Sequence, residues 1–269
     1  LSDCRMSFIN IEDAGDERVE AYRELKDAHR IKRRGEFHIE GFEVLRNAVL
    51  QGRFAIRSVL VQPKWKDRLT DVWDALDPCV PRYVMERATM ASLVGFALHR
   101  GVVAVGSVSA DPEDAWRALD ATPGRVVVLE DINNHDNVGG IFRSASAFGL
   151  QAVLLDEQTA EPLYRKAIRV SMGSALSVPF ARGSQEGLRT RLAKLGYRHY
   201  GLTPRADVLL RDVEPADRVA LWIGSEGFGL TEASLKACDR TVGIQMAEGH
   251  DSLNAYVAAS IAMFALAPR

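Results

Sequence analysis

Three polar segments in the C-terminal half combine side chains and glycines in patterns suited to chemistry. The first, Asp131-Ile-Asn-Asn-His-Asp-Asn-Val-Gly-Gly-Ile-Phe-Arg-Ser-Ala-Ser-Ala-Phe-Gly149, follows the almost wholly apolar run Arg125-Val-Val-Val-Leu-Glu130. Polar loops at the carboxyl end of a buried strand are where α/β proteins bind ligands. Asn137 and Gly139 stand at the entry to a helix, with Arg143 one turn in. A helix start favours anions, so an arginine this early reads either as an ordinary surface residue or as a group aimed at a phosphate or carboxylate.

The second segment, Ala220-Leu-Trp-Ile-Gly-Ser-Glu-Gly-Phe-Gly-Leu230, sets Gly224, Gly227 and Gly229 behind a strand. Such density implies a tight loop whose bare backbone approaches another group closely, or else a plain turn. Glu226 is an isolated carboxylate held within it. The third is Ile244-Gln-Met-Ala-Glu-Gly-His-Asp-Ser-Leu-Asn-Ala-Tyr-Val-Ala-Ala-Ser260. Asp251 and Ser252 sit where the last helix needs an N-cap, a structural alternative for Ser252. Asn254, inside the first turn, is a poor helix former and is harder to explain by propensity. His135 and His250 flank these motifs. Imidazole is the usual general base near neutral pH, although both also read as ordinary loop histidines.

Some chemistries are disfavoured. No strand of this half leads into Gly-x-Gly-x-x-Gly, and no Gly-x-x-x-x-Gly-Lys-Ser/Thr occurs, which argues against dinucleotide and P-loop sites. Cys4, Cys79 and Cys238 are far apart and read as reduced thiols; with no His-x-x-x-His pair either, no metal site is expected.

The elements that must position these residues form two α/β sets. Asp16 to Arg34 reads as a charged helix ended by Gly35. An alternation follows: strand 37–39, helix 42–50, strand 56–61, helix 65–76, strand 82–85, helix 87–94 and strand 101–108. This predicts a small α/β domain over 16–108. Residues 109–124 are the expected linker, with a helix whose face is Ala115, Trp116 and Leu119, then the turn cluster Ala121-Thr-Pro-Gly124. From 125 to 269, apolar strands at 125–130, 152–155, 176–180, 198–203, 218–223 and 241–244 predict a mostly parallel sheet covered by helices. The last helix, 253–266, is apolar nearly all round and is expected to be buried, including against a second subunit.

With 47% apolar and 26% charged residues, the chain has an ordinary globular composition. No run of about eighteen apolar residues is present, and Leu1 to Asn10 do not resemble a signal peptide, so a cytoplasmic protein is expected. The formal net charge of −2 does not advertise nucleic-acid binding. Its distribution says more: between Tyr22 and Arg57, nine Lys/Arg face five acids. The tightest run, Arg30, Lys32, Arg33 and Arg34, reads as a solvated helix end or as phosphate contacts.

Taken together, Asn137-x-Gly139-x-Ile141-x-Arg143, Gly224-Ser-Glu-Gly-x-Gly-Leu230, and Ile244-x-Met246 followed by Ser252-Leu253-Asn254 resemble the three motifs of the SpoU (TrmH-like) family of RNA 2′-O-ribose methyltransferases, of the SPOUT superfamily. Tyr164-Arg-Lys-Ala-Ile-Arg-Val-Ser-Met-Gly173 is similar to a further Ser-x-Gly element of that family. Through Gly35-Glu-Phe-His-Ile-Glu-Gly41, the Leu45 helix and His99-Arg-Gly-Val-Val-Ala-Val105, the first domain resembles the ribosomal-protein-like RNA-binding domain that often precedes it. Two positions depart from the pattern: Gln245 stands for the usual proline, and Ala255-Tyr256 for the usual Val-Ser or Val-Ala.

The resemblance implies a C-terminal domain with a trefoil knot, a homodimer formed through it, and S-adenosylmethionine held by backbone groups of Thr203, Gly224, Ile244 and Leu253. It implies no metal. It maps the family's functional arginine onto Arg143, with Asn137, Glu226, Ser252 and Asn254 orienting Arg143 and the ribose. The expected substrate is ribosomal or transfer RNA, delivered by Arg30, Lys32, Arg33 and Arg34. Two other readings stay open: methylation of an RNA base, and a catalytically silent RNA-binding or ribosome-assembly protein.

Overall fold

The computed structural model describes residues 7–23, 25, 30–95, 98, 101–108, 111, 113–214, 216–250 and 252–267. His99 and Asp251 therefore lie outside the described residues. Contacts divide the chain into two units, 1–110 with Leu163–Ser177, and Asp111–Pro162 with Val178–Arg269.

In the first unit, β1 (Phe8–Asn10), α1 (Arg30–Arg34), β2 (Glu36–Glu40), α2 (Phe42–Gln51), β3 (Ala55–Val61), α3 (Thr70–Ala75), β4 (Arg82–Val84), α4 (Arg87–Val94) and β5 (Val102–Ser107) follow in order. The sheet order among the described residues is β1-β4-β3-β5-β2. Strand β5 is antiparallel to both its neighbours, and β1, β4 and β3 are parallel. Gly106 of β5 faces Phe37 of β2, whose ring tip lies 2.5 Å from where a Cβ would stand, so the glycine admits the aromatic ring.

The second unit contains α5 (Asp114–Ala121), β6 (Gly124–Leu129), α6 (His135–Ala147) and β7 (Ala152–Leu155). The helices α7 (Arg165–Val170) and α8 (Ser174–Ser177) come next in the chain but group with the first unit. After them the second unit resumes with β8 (Phe180–Arg182), α9 (Gln185–Lys194), β9 (Arg198–Leu202), β10 (Val208–Leu209), β11 (Arg218–Ile223), α10 (Glu232–Lys236), β12 (Arg240–Gly243) and α11 (Ala255–Ala265). Its sheet is parallel throughout, in the order β10-β12-β9-β11-β6-β7-β8. One face packs Val126, Val128, Ala220 and Trp222 under α5 and α9. Strand β12 lies between β9 and β10, which are consecutive in the chain. The short connection 203–207 crosses at Gly243, where a Cβ would stand 2.9 Å from Ala206 Cβ and 3.2 Å from the Thr203 carbonyl oxygen. It is fastened there by Thr203 N–H to Val242 O (3.0 Å) and Asp207 N–H to Thr241 Oγ1 (2.9 Å).

Several expectations are corrected. The charged helix over 16–34 is a 3₁₀ turn at Glu17–Tyr22 followed by α1, with residues 24 and 26–29 outside the described set. The buried residues Val19, Tyr22 and Leu25 recur every three positions, the 3₁₀ period. The helix at 65–76 is a 3₁₀ turn, Pro63–Trp65, followed by α3. The strand at 176–180 begins only at Phe180, because Pro179 has no N–H to give the ladder. The supposed linker contains α5, whose Ala115, Trp116 and Leu119 belong to the second unit's core. Residues 163–177 leave the second set because Arg165 pairs with Glu40 (3.4 Å) and Gly173 packs on Val44. Strands β1 and β10 were not anticipated. Cys79 is disulfide-bonded, against the expectation of reduced thiols, while Cys238 is free.

Helix α11 is buried on one face only: Ala255, Ala259, Ala262 and Met263 are covered, while Phe264 is 68% exposed and Tyr256 40%. No helix among the described residues is long and apolar enough to cross a membrane.

Candidate functional site

Strands β12, β9, β11 and β6 are neighbours and parallel, so the residues that follow them share one edge of the sheet. Ile244 follows β12, Thr203 follows β9, Gly224 follows β11, and 130–134 lead from β6 into α6. From β6 the chain goes on to β7 on one side, and from β11 through α10 to β12 on the other. The β6/β11 boundary is therefore the point where connections diverge, and the crevice at such a point is where open α/β sheets take ligands.

The glycine loop is held shut by its own backbone. A Cβ on Gly224 would stand 2.0 Å from the Gly229 carbonyl carbon and 2.2 Å from the Leu230 nitrogen, so no side chain fits. Gly229, with φ +69°, donates its N–H to Ser225 O (2.8 Å). Beyond this bridge Glu226, Gly227 and Phe228 form an exposed tip, Phe228 at 95%. The far end is pinned by Glu130, 1% exposed at the end of β6, whose Oε1 accepts the Thr231 N–H at 2.8 Å. The motifs did not single out Glu130; its signal was an acid closing an otherwise apolar strand.

Helix α6 starts at His135, capped by Asn134, so Arg143 lies more than two turns in and the helix-start argument for it does not hold. Arg143 is exposed and makes no hydrogen bond or ion pair with a described residue. Six residues from Asn137 on one helix, it points about 240° round the axis from it. The structure thus does not bring Arg143 together with Asn137 in the same chain.

Asn137 and Asn254 are brought together. Asn137 is 2% exposed, and its Oδ1 accepts Asn254 Nδ2 at 3.0 Å. Asn254 is the N-cap of α11, its Oδ1 accepting the Tyr256 N–H at 3.0 Å. This corrects the capping role given to Asp251 and Ser252, and it explains a poor helix former at 254. Asn137 Nδ2 is buried without a partner among the described residues.

From that pair, α6 and α11 run side by side in the same direction. Gly140 meets the Tyr256 ring, Ser144 Oγ lies 2.7 Å from Ser260 Oγ, and Phe148 stands 5.9 Å from Phe264 between ring centroids. Arg125 closes both helices, donating to Phe148 O (2.6 Å) and Met263 O (2.8 Å); burial lowers its pKa. The unusual Tyr256 is thus accommodated by Gly140. Gln245 likewise has a partner, the Arg211 guanidinium.

Glu226, Ser252 and Leu253 are exposed, and neither Glu226 nor Ser252 bonds to a described residue. His250 is exposed and His135 half-buried. In the first unit Lys32, Arg33 and Arg34 are exposed, Arg34 lying 3.6 Å from Glu20; the side chain of Arg30 lies outside the described residues. No group of three or more potential metal ligands occurs among the described residues.

Residues 124–264 match the SpoU rRNA Methylase family. An uncharacterized tRNA/rRNA methyltransferase of Mycobacterium tuberculosis is 41% identical over 191 residues, which cover 68% of this chain and 65% of that protein. The chain therefore spans less than two thirds of that relative's length. Among solved structures, the AdoMet-bound rRNA methyltransferase from Sinorhizobium meliloti superposes with a TM-score of 0.83 at 20% identity, over 96% of this chain and 97% of that one. The SpoU methyltransferase AviRb from Streptomyces viridochromogenes, in complex with AdoMet, gives 0.79 at 23% identity, over 94% and 98%.

Proposed function

Because the chain belongs to the SpoU rRNA Methylase family, we propose that it transfers a methyl group from S-adenosylmethionine to a ribose 2′-hydroxyl of ribosomal or transfer RNA in the cytoplasm. The observation that carries this is the convergence of Ile244, Thr203 and Gly224 at one edge of the parallel sheet, beside the Asn137–Asn254 pair.

The residues fit such a donor. Thr203, Gly224, Ile244 and Leu253 would hold it through backbone groups, as a loop of bare backbone at Gly224 allows. The buried Asn137 Nδ2, without a partner among the described residues, offers a further donor at the same edge. When bound, S-adenosylmethionine supplies a methyl group already activated by its sulfonium.

The remaining difficulty is the ribose proton, held too tightly to leave unaided at neutral pH. Arg143 contacts a phosphate and stabilises the developing alkoxide, since a guanidinium is a permanent cation rather than a ready base. Asn254 is fixed by its cap bond and orients Asn137; Glu226 and Ser252 complete the ribose side. An outward Arg143 suits a homodimer through α6 and α11, in which a second copy completes the site, and the exposed Phe264 and Ile261 supply apolar surface for it. The crossing of 203–207 over β12 supports a trefoil knot. The first unit acts as the ribosomal-protein-like RNA-binding domain, with Arg30, Lys32, Arg33 and Arg34 on phosphates.

Arg143→Ala tests the reading. Incorporation of labelled methyl into bacterial ribosomal and transfer RNA should fall by about 100-fold or more, while calorimetry finds donor affinity unchanged. Unaltered turnover removes Arg143 from the reaction, and methyl recovered on a base removes ribose as the target.

A further inference from the structure

The carboxyl ends of β2 and β3 share one edge of the first sheet, since both strands are antiparallel to the β5 that separates them. Phe42, just after β2, and Trp65, just after β3, stack across this edge with centroids 4.8 Å apart and planes at 26°. The turn carrying Trp65 is fastened by i to i+3 bonds: Trp65 N–H to Gln62 O, Lys66 N–H to Pro63 O and Arg68 N–H to Trp65 O. Its start is tied to the residue that precedes β5 by Gln62 N–H to Gly101 O, 2.9 Å. Three residues per turn put Trp65 and Arg68 on the same side.

Two cations attend the Trp65 ring: Lys64 Nζ at 5.7 Å and Arg68 Cζ at 5.9 Å from the centroid. Both are exposed, and neither forms an ion pair with a described residue. Arg46 differs, being paired with Asp71 at 2.7 Å and Glu43 at 3.6 Å, and serves the fold. Trp65 Nε1 is buried without a partner among the described residues.

We infer that Trp65, backed by Phe42 and flanked by Lys64 and Arg68, is a stacking platform for one unpaired nucleotide of the RNA substrate, separate from the basic run at 30–34. The magnitudes favour this exchange. An exposed cation over a ring contributes about 0.5–1 kcal/mol, a stacked base about 1–3 kcal/mol. A base therefore displaces the two cations from the ring, and they meet its flanking phosphates. The inference rests on RNA being the substrate, not on the site of methylation.

Binding of a fluorescein-labelled, unstructured uridine-rich oligoribonucleotide to the full chain, without methyl donor, tests it. Trp65→Ala should weaken binding about tenfold, and Trp65→Phe should largely keep it. The double variant Lys64→Ala/Arg68→Ala should weaken binding too, and make the slope of log affinity against log salt shallower by about 1.4, two single-strand phosphates. Its exposed side chains leave the core intact, so this arm stands even if Trp65→Ala unfolds. Wild-type affinity and slope in both the double variant and a folded Trp65→Ala overturn the platform, as does loss of binding only in Lys32→Ala/Arg33→Ala/Arg34→Ala. No methyl transfer is read, so a failed platform and a failed ribose reaction give different results.

Discussion

The two sheets use their carboxyl edges differently. In the parallel sheet the edge is built from backbone: Gly224 is bare because its own loop folds back where a side chain would be, and Gly243 because the connection 203–207 passes there. Buried polar groups, Glu130 and the Asn137–Asn254 pair, fix the loops from behind. In the mixed sheet the edge is built from side chains, with Phe42, Trp65, Lys64 and Arg68 projecting from a short hydrogen-bonded turn. A backbone edge suits a small ligand gripped in one pose. A side-chain edge suits a flexible polyanion that need only be held near. The first should therefore be brittle to substitution and the second graded.

The largest contrast is expected within the glycine loop itself. Gly224→Ala forces a Cβ to within 2.0 Å of the Gly229 carbonyl carbon, so the loop must move, whereas a Cβ on Gly227 meets nothing within 4 Å. Displacement by an ångström at such a site is expected to weaken donor binding on the order of 100-fold. Calorimetric titration should find that loss in Gly224→Ala and near wild-type affinity in Gly227→Ala. Equal losses would mean that exposure of the tip, not backbone closure, sets affinity.

Next in size is the asparagine pair. Asn254→Ala removes the N-cap of α11 and strips the buried Asn137 Oδ1 of its donor. A lost cap and an orphaned buried acceptor together predict about 2 kcal/mol of destabilisation in denaturant unfolding. Asn254→Asp keeps the cap but not the donor, and should recover about half. Full recovery would reduce Asn254 to a cap alone.

The contact of Gly140 with Tyr256 gives a smaller, coupled effect. Gly140→Ala places a Cβ 2.8 Å from the Tyr256 ring, an overpacking of about 1–2 kcal/mol. Tyr256→Ser makes room for it. A double-mutant cycle by chemical denaturation should return a coupling of about 1 kcal/mol or more; additivity would mean that the helices separate freely.

This brittleness is why the first edge was legible in the sequence and the second was not. Gly224 has no room for a side chain and Asn254 fills two hydrogen-bonding roles at once, so both stand out within the motifs. The buried strands β6, β7 and β11 were legible for a related reason: two covered faces leave only apolar residues. Trp65 looked like the start of a helix, because Pro63 and a charged stretch suit a first helical turn as well as a 3₁₀ turn. Arg143 was placed too early on its helix because Asn134 caps through an Asx bond that the glycine-centred motif does not reveal. Glu130 was missed because its partner, the Thr231 N–H, is distant in sequence. The grouping of 163–177 with the first unit rests on Glu40 and Val44, contacts far apart in the chain that local periodicity cannot signal.

The smallest expected effect concerns the buried polar layer of the second unit. His199 on β9 accepts the Trp222 Nε1–H at its Nδ1 (3.0 Å), and its Nε2 is buried without a partner among the described residues. Arg189 lies over the Trp222 ring at 4.0 Å, and Asp239 holds the His199 backbone N–H at 2.6 Å. Burial, then the nearby Arg189, push the imidazole pKa below its ordinary value; Asp239 only partly opposes them. In the unfolded chain the same histidine protonates near its ordinary value of about 6.5. As pH falls through that value the unfolded state takes up a proton that the folded state refuses, so stability declines until the lower folded-state value is reached. Thermal unfolding between about pH 7.5 and 5.5 should therefore show a steeper acid-side loss in the native protein than in His199→Gln, whose amide oxygen can still accept from Trp222. Coincident profiles would detach His199 from the brittleness of this unit, and a steeper profile in the variant would reverse the sign of its contribution.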